Sequence, residues 1–160
     1  MVKVLVSYYT KGGSTEEMAE EVRDGVRDGG AEVELKRIEK VSNEDLEEVD
    51  ALVIGSPTYY GNPAPQIHEL FEQSNSIRGD LDKVVGAAFA SSYHRAGGNE
   101  TTIMSILQQM LIHNMVVVGD PIKTGGHYGA VSVCNEVDEQ SKEECFELGK
   151  RVSEIAQKLN

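Results

Sequence analysis

Five short strand-like runs, four of them apolar and one alternating, each followed by a stretch of helical periodicity, constrain the fold of this chain more than any other feature. Residues 2–6, 51–55, 83–90 and 115–119 are almost continuously apolar and read as strands. Strands without polar alternation are buried on both faces, which requires a parallel sheet covered by helices on each side. Residues 31–36 (Ala-Glu-Val-Glu-Leu-Lys) alternate strictly and read instead as a half-exposed edge strand. Between the strands lie helices predicted at 15–28, 43–48, 65–74, 99–113 and 139–158. Met18, Val22 and Val26 mark the first by four-residue spacing, and Gly29-Gly30 ends it. Ile103, Ile106, Leu107, Met110 and Leu111 share one face of the fourth. A Gly-rich loop at 120–130 follows the fifth strand, and Val131-Ser-Val133 stands where that strand can resume. These elements predict a three-layer α/β sandwich of the doubly wound kind. Its five-stranded parallel sheet runs in the order 2-1-3-4-5 with helices on both faces. No boundary interrupts residues 1–160, so one domain is expected.

Composition removes several functions. The net charge is −12, which opposes nucleic acid and anionic membrane surfaces, since both are bound by clustered Lys and Arg. No apolar run approaches the length of a membrane span. Cys134 and Cys145 form no metal-binding or disulfide pattern, and Cys145 falls on the apolar face of the last helix. No leader-like segment precedes the first strand, so a cytoplasmic location is expected. No metal site is expected.

Three loops leave the carboxyl ends of strands, where open α/β sheets bind ligands. The first, Tyr8-Tyr-Thr-Lys-Gly-Gly-Ser-Thr15, enters a helix N-terminus, which is an anion site by its free N–H groups and dipole. The same residues also read as a plain cap, with Ser14 and Glu17 forming a capping box. The loop lacks the Gly-Lys-Ser/Thr of a P-loop and the GxGxxG of a dinucleotide fold. The second, Gly55-Ser-Pro-Thr-Tyr-Tyr-Gly-Asn62, offers two aromatics, a hydroxyl and a close-approach glycine to a flat ligand, for which flavin is the first candidate. The third is Ser91-Ser-Tyr-His-Arg-Ala-Gly-Gly98. Each alone also reads as an ordinary turn, but three such loops at one sheet end point to a site. Ser7, Tyr8 and Gly55 stand where a response regulator needs acids, and the first loop has no Cys for a small tyrosine phosphatase.

With these residues the chain resembles the WrbA family of FMN-dependent NAD(P)H:quinone oxidoreductases, relatives of flavodoxin. The three loops carry the resemblance. So do Gly97-Gly-Asn-Glu-Thr-Thr102, Leu111-Ile-His-Asn-Met-Val116 and Gly125-Gly-His-Tyr-Gly-Ala130. It implies FMN, with Thr10, Gly13, Ser14 and Thr15 at the phosphate and Lys11 and Gly12, which depart from the usual family choices, between them. Pro57, Thr58, Tyr59, Tyr60, Gly61 and Asn62 are implied to lie against the isoalloxazine. Ser91, Ser92, Tyr93, His94, Arg95 and Gly97 are implied to border its pyrimidine side, although His94 and Arg95 replace small family residues. His113 and Tyr128 are the implied catalytic-pocket residues, His113 from across a subunit contact. NADH or NADPH is the implied donor and a quinone the acceptor, in a ping-pong exchange at one flavin face. A homo-oligomer, dimer or tetramer, is also implied. The alternative is a flavodoxin-like one-electron carrier, with Tyr59, Tyr60 and Tyr93 covering the flavin. His127 reads equally as packing or chemistry.

Overall fold

The computed structural model describes residues 1–160. Strand β1 (Lys3–Tyr8) pairs in parallel with the edge strand β2 (Glu32–Arg37) on one side and with the central strand β3 (Ala51–Tyr59) on the other. β3 pairs in parallel with β5 (Val85–Ser92). The outer side of β5 is shared by two short parallel strands. β6 (Val116–Val117) pairs at its start and β7 (Ala130–Val133) at its end. A two-residue strand, β4 (Asn62–Pro63), folds back antiparallel onto the end of β3.

The sheet therefore has seven strands, which corrects the expected five. Its main path, β2-β1-β3-β5-β6, keeps the expected doubly wound order once β4 is set aside. The expected fifth strand is split because residues 118–129 leave the sheet edge before β7 resumes it. The third strand also runs four residues beyond its expected end, so much of the second loop is strand and hairpin.

Alternation along the strands sorts the core into two halves. Leu5, Leu52, Ile54, Ala88 and Ala90 face the side covered by α3 (Pro65–Gln73) and α4 (Asn99–Ile112). Val4, Val6, Val53, Ala87 and Phe89 face α1 (Ser14–Asp28) and α5 (Glu139–Leu159). Glycine permits the closest approaches. A Cβ at Gly55 would lie 2.1 Å from the Phe89 ring, and one at Gly149 would lie 2.1 Å from the Val22 carbonyl oxygen. The short α2 (Asn43–Glu47) starts at a capping box in which Ser42 and Asp45 exchange hydrogen bonds. Cys145 is fully buried, and burial pushes its thiol well above the ordinary value. No helix is long and apolar enough to cross a membrane.

Candidate functional site

The loop between β1 and α1 runs directly into a helix N-terminus, whose free N–H groups and dipole favour an anion. Gly13 is the N-cap of α1 and takes φ +103°, a left-handed conformation that glycine adopts without a steric penalty. Its N–H donates to Thr10 Oγ1 at 2.9 Å. α1 starts at Ser14, one residue earlier than its sequence predicts, so Ser14 is the first helical residue and forms no cap. The capping box expected of Ser14 and Glu17 is thereby corrected. The backbone N–H groups of Lys11, Gly12, Ser14, Thr15 and Glu16 donate to no protein acceptor. They arc around one helix N-terminus with the Ser14 hydroxyl, a ready phosphate cradle. The loop is braced from β2, where Arg37 donates to the Thr10 carbonyl at 3.4 Å. Tyr8 donates to Glu16 at 2.6 Å, and burial together with that carboxylate pushes the phenol up to about 12.

The second loop is a rigid hairpin. Tyr60 and Gly61 take φ of +52° and +79°, the pattern of a type I′ turn. Thr58 and Tyr59 pair with Pro63 and Asn62 across it. Ser56 locks its base by accepting from Ala64 N at 2.8 Å and donating to the Pro57 carbonyl at 2.7 Å. Tyr59 packs half-buried against the α3–α4 core, while Tyr60 is fully exposed at the tip. Thr58 Oγ1 is buried with no protein partner. A buried hydroxyl left unpaired calls for a partner outside the chain.

The third loop leaves β5 at Ser92. Thr15 Oγ1 and Ser91 Oγ lie 3.0 Å apart in a buried contact that joins the first loop to the third. Ser92 Oγ donates to the His94 carbonyl at 2.8 Å, and Gly97 N donates to the same oxygen at 3.0 Å, closing a tight turn. Cys134 N reaches the Ser92 and Tyr93 carbonyls at 3.0 and 3.1 Å from the end of β7. Gly98, at φ +101°, begins α4 as Gly13 begins α1. A Cβ at Gly98 would lie 2.6 Å from Gly61 Cα, so the second and third loops touch through glycine. Tyr93 and His94 meet edge to face with centroids 4.7 Å apart, both exposed.

The three predicted loops thus converge at one end of the sheet. Tyr128 joins them at the side: it lines a cavity of about 490 Å³ with Arg95, Asn99, Asp120 and Glu144. Asp120 drew no notice in the sequence, yet it shapes this wall. Its buried carboxylate accepts from Thr124 Oγ1, Gly126 N and His127 N at 3.0, 3.2 and 2.8 Å. Its signal was Asp-Pro ahead of a Gly-Gly turn. His127 thus holds the wall through its backbone. Burial pushes the Glu144 carboxyl up, with Asp120 and Asp138 adding to the effect.

His113 is not brought to these loops within its own chain. It caps the far end of α4, next to the start of β5, at the amino edge of the sheet. Its Nδ1 donates to the Gln109 carbonyl at 3.0 Å, and Nε2 lies 3.1 Å from Ser74 Oγ. Its ring is buried edge-on to Phe71 at 4.9 Å. Within its own chain His113 therefore stands apart from the three loops, at the end of α4 opposite to them.

A flavodoxin-domain family model matches residues 5–119. The NAD(P)H dehydrogenase (quinone) of Gluconacetobacter diazotrophicus is 33% identical over 198 aligned positions, covering 100% of both chains. The flavodoxin of Aquifex aeolicus is 38% identical over 160 positions, covering 96% of this chain and 86% of its own. The WrbA-like flavodoxin structure from Agrobacterium tumefaciens superposes with a TM-score of 0.84 over 100% of both chains at 22% identity, which shows the same fold. The chain belongs to the WrbA-type NAD(P)H:quinone oxidoreductase family, built on the flavodoxin domain.

Proposed function

We propose that the chain is a single FMN-binding domain that transfers two electrons from NADH or NADPH to a quinone in a ping-pong cycle. The observation that carries this reading is the convergence, at one sheet end, of a cradle of N–H groups without protein acceptors, a buried Thr58 hydroxyl without a protein partner and a tyrosine-tipped hairpin. These residues fit the cofactor. The N–H groups of Lys11, Gly12, Ser14, Thr15 and Glu16 with the hydroxyls of Ser14 and Thr15 suit a dianionic phosphate, and no loop residue from Thr10 to Thr15 is acidic. Thr58 Oγ1 supplies a hydrogen bond to a polar ring edge. When bound, FMN supplies the hydride-accepting and hydride-donating chemistry.

The chain's part is placement. Pro57 to Asn62 form the wall against the ring, held in shape by Ser56 and Thr101. Ser91, Ser92 and Gly97 fix the backbone that borders the pyrimidine edge. Arg95 adds positive charge there, which favours an anionic reduced ring. Tyr128 stands at the rim of the neighbouring cavity, where donor and acceptor exchange. His113 holds the α3–α4 seam. Two unpaired cysteines suit a reducing, cytoplasmic setting, and the reading includes a homo-oligomer.

Steady-state oxidation of NADH or NADPH by benzoquinone tests the cycle: parallel double-reciprocal lines are expected, and intersecting lines overturn ping-pong. A second reading, a one-electron carrier, draws on the flavodoxin relative at 38% identity. Under that reading neither nicotinamide reduces the loaded protein.

A further inference from the structure

α1 carries two acids in its first turn, beside the place proposed for the cofactor's phosphate. With Gly13 as N-cap, Glu16 and Glu17 are its third and fourth helical residues. Helical side chains lean toward the N-terminus. A glutamate at the third position therefore commonly turns back and accepts from the N-cap N–H, as in a capping box. Here that turn would carry the Glu16 carboxylate into the arc of N–H groups at Lys11, Gly12, Ser14, Thr15 and Glu16, which have no protein acceptor. The chain would then fill its own anion site.

The structure ties these acids elsewhere. The Gly13 N–H is already taken by Thr10 Oγ1 at 2.9 Å. Tyr8, at the end of β1 and only 5% exposed, donates its hydroxyl to Glu16 Oε1 at 2.6 Å. Burial, with that carboxylate, pushes the phenol up to about 12, so it keeps its proton and stays a donor at neutral pH. Arg37 stands opposite Tyr8 in the β1–β2 register and donates to the Thr10 carbonyl, so its charge acts on both Tyr8 and Glu16. Glu17 is exposed and lies 3.6 Å from Lys142 of α5. We propose that Tyr8 is a positioning residue of the phosphate site. Its hydroxyl holds the Glu16 carboxylate off the helix N-terminus, so that the N–H groups stay open to the phosphate of FMN. A flavin without a phosphate does not compete with Glu16 for these groups, so the Tyr8–Glu16 pair acts on FMN and not on riboflavin.

The role rests on the FMN reading, and the parent protein tests that reading separately from the variants. Binding of FMN and of riboflavin is followed by quenching of flavin fluorescence in the parent, in Tyr8→Phe, and in Tyr8→Phe combined with Glu16→Gln. Tyr8→Phe is expected to weaken FMN binding on the order of tenfold, the scale of one hydrogen bond to a charged group, and to leave riboflavin within about twofold. Adding Glu16→Gln is expected to restore FMN binding, because a neutral amide does not compete with the phosphate. Equal losses for both flavins, or a loss that Glu16→Gln leaves in place, overturn the role of Tyr8. Should Tyr8→Phe fail to fold, Glu16→Asp decides. Its carboxylate is one methylene shorter, loses Tyr8 and stays in the first turn. The same FMN-selective loss is expected, and unchanged FMN binding overturns the role. A parent protein that binds neither flavin, or binds riboflavin as tightly as FMN, overturns the FMN reading and the role with it.

Discussion

Thr101 Oγ1 lies 2.7 Å from the Gly61 carbonyl oxygen and 2.9 Å from that of Gly98. One hydroxyl of α4 thus holds the turn of the tyrosine hairpin against the start of its own helix. Thr101→Val keeps the shape and removes the bond. Stability is expected to fall by about 1 kcal/mol, and FMN affinity roughly five- to tenfold as the hairpin loosens, since a tenfold change is about 1.4 kcal/mol. A titration following the quenching of FMN fluorescence measures the second effect. Unchanged affinity would detach the hairpin from the cofactor site.

Gly98→Ala should be more severe. Its φ of +101° is strained for alanine, and the new methyl would stand 2.6 Å from Gly61 Cα. A loss of about 1–3 kcal/mol is expected, with FMN affinity falling further than in Thr101→Val. Urea unfolding and the same fluorescence titration check both. An equal loss in a Gly12→Ala variant, where a Cβ meets nothing within 4 Å, would show that crowding is not the cause.

The architecture was legible in the sequence because burial on both faces leaves a strong mark. The runs at residues 51–55 and 83–90 became β3 and β5. The hairpin was not legible. Tyr60 adopts a positive φ that is uncommon for a tyrosine, so Tyr60-Gly61 lacks the usual Asn-Gly signal. Ser14 looked like a cap by composition, but Gly13 takes that place by virtue of its left-handed φ. The three loops were found because each follows a strand. The closure between them, through Thr15 with Ser91 and Gly61 with Gly98, depends on contacts distant in sequence. The packing of His113 was not legible for the same reason: nothing in its neighbours announces Phe71 and Ser74.

His113→Ala removes the bonds to Gln109 and Ser74 from a buried seam and leaves a void beside Phe71. A loss of about 2–4 kcal/mol is expected in urea unfolding. A change below about 0.5 kcal/mol, the range of ordinary surface substitutions, would contradict the structural role given to this residue.

Glu144 and Asp138 should give opposite pH signatures. Burial raises the Glu144 carboxyl, so its folded form favours the proton; the stability this adds is present in acid and is lost as pH rises through the raised value. Glu144→Gln should therefore raise the melting temperature at pH 8 relative to the parent and have little effect at pH 4. Asp138 caps α5 by accepting from Ser141 N at 2.8 Å, and that bond lowers its carboxyl. Its stabilisation is present at neutral pH and is lost as pH falls through the lowered value. Asp138→Ala should cost about 1 kcal/mol at pH 7 and progressively less below pH 4. Melting curves across pH for both variants check the signs, and parallel profiles would contradict them.

The most direct measurement is an anaerobic titration of the FMN-loaded protein with NADH and then with NADPH, following the visible flavin bands. The proposed activity predicts full bleaching by at least one nicotinamide at stoichiometric addition, and complete return of the bands on adding benzoquinone. A flavin that both nicotinamides leave oxidised, while dithionite bleaches it, would contradict the oxidoreductase reading and leave the electron carrier in its place.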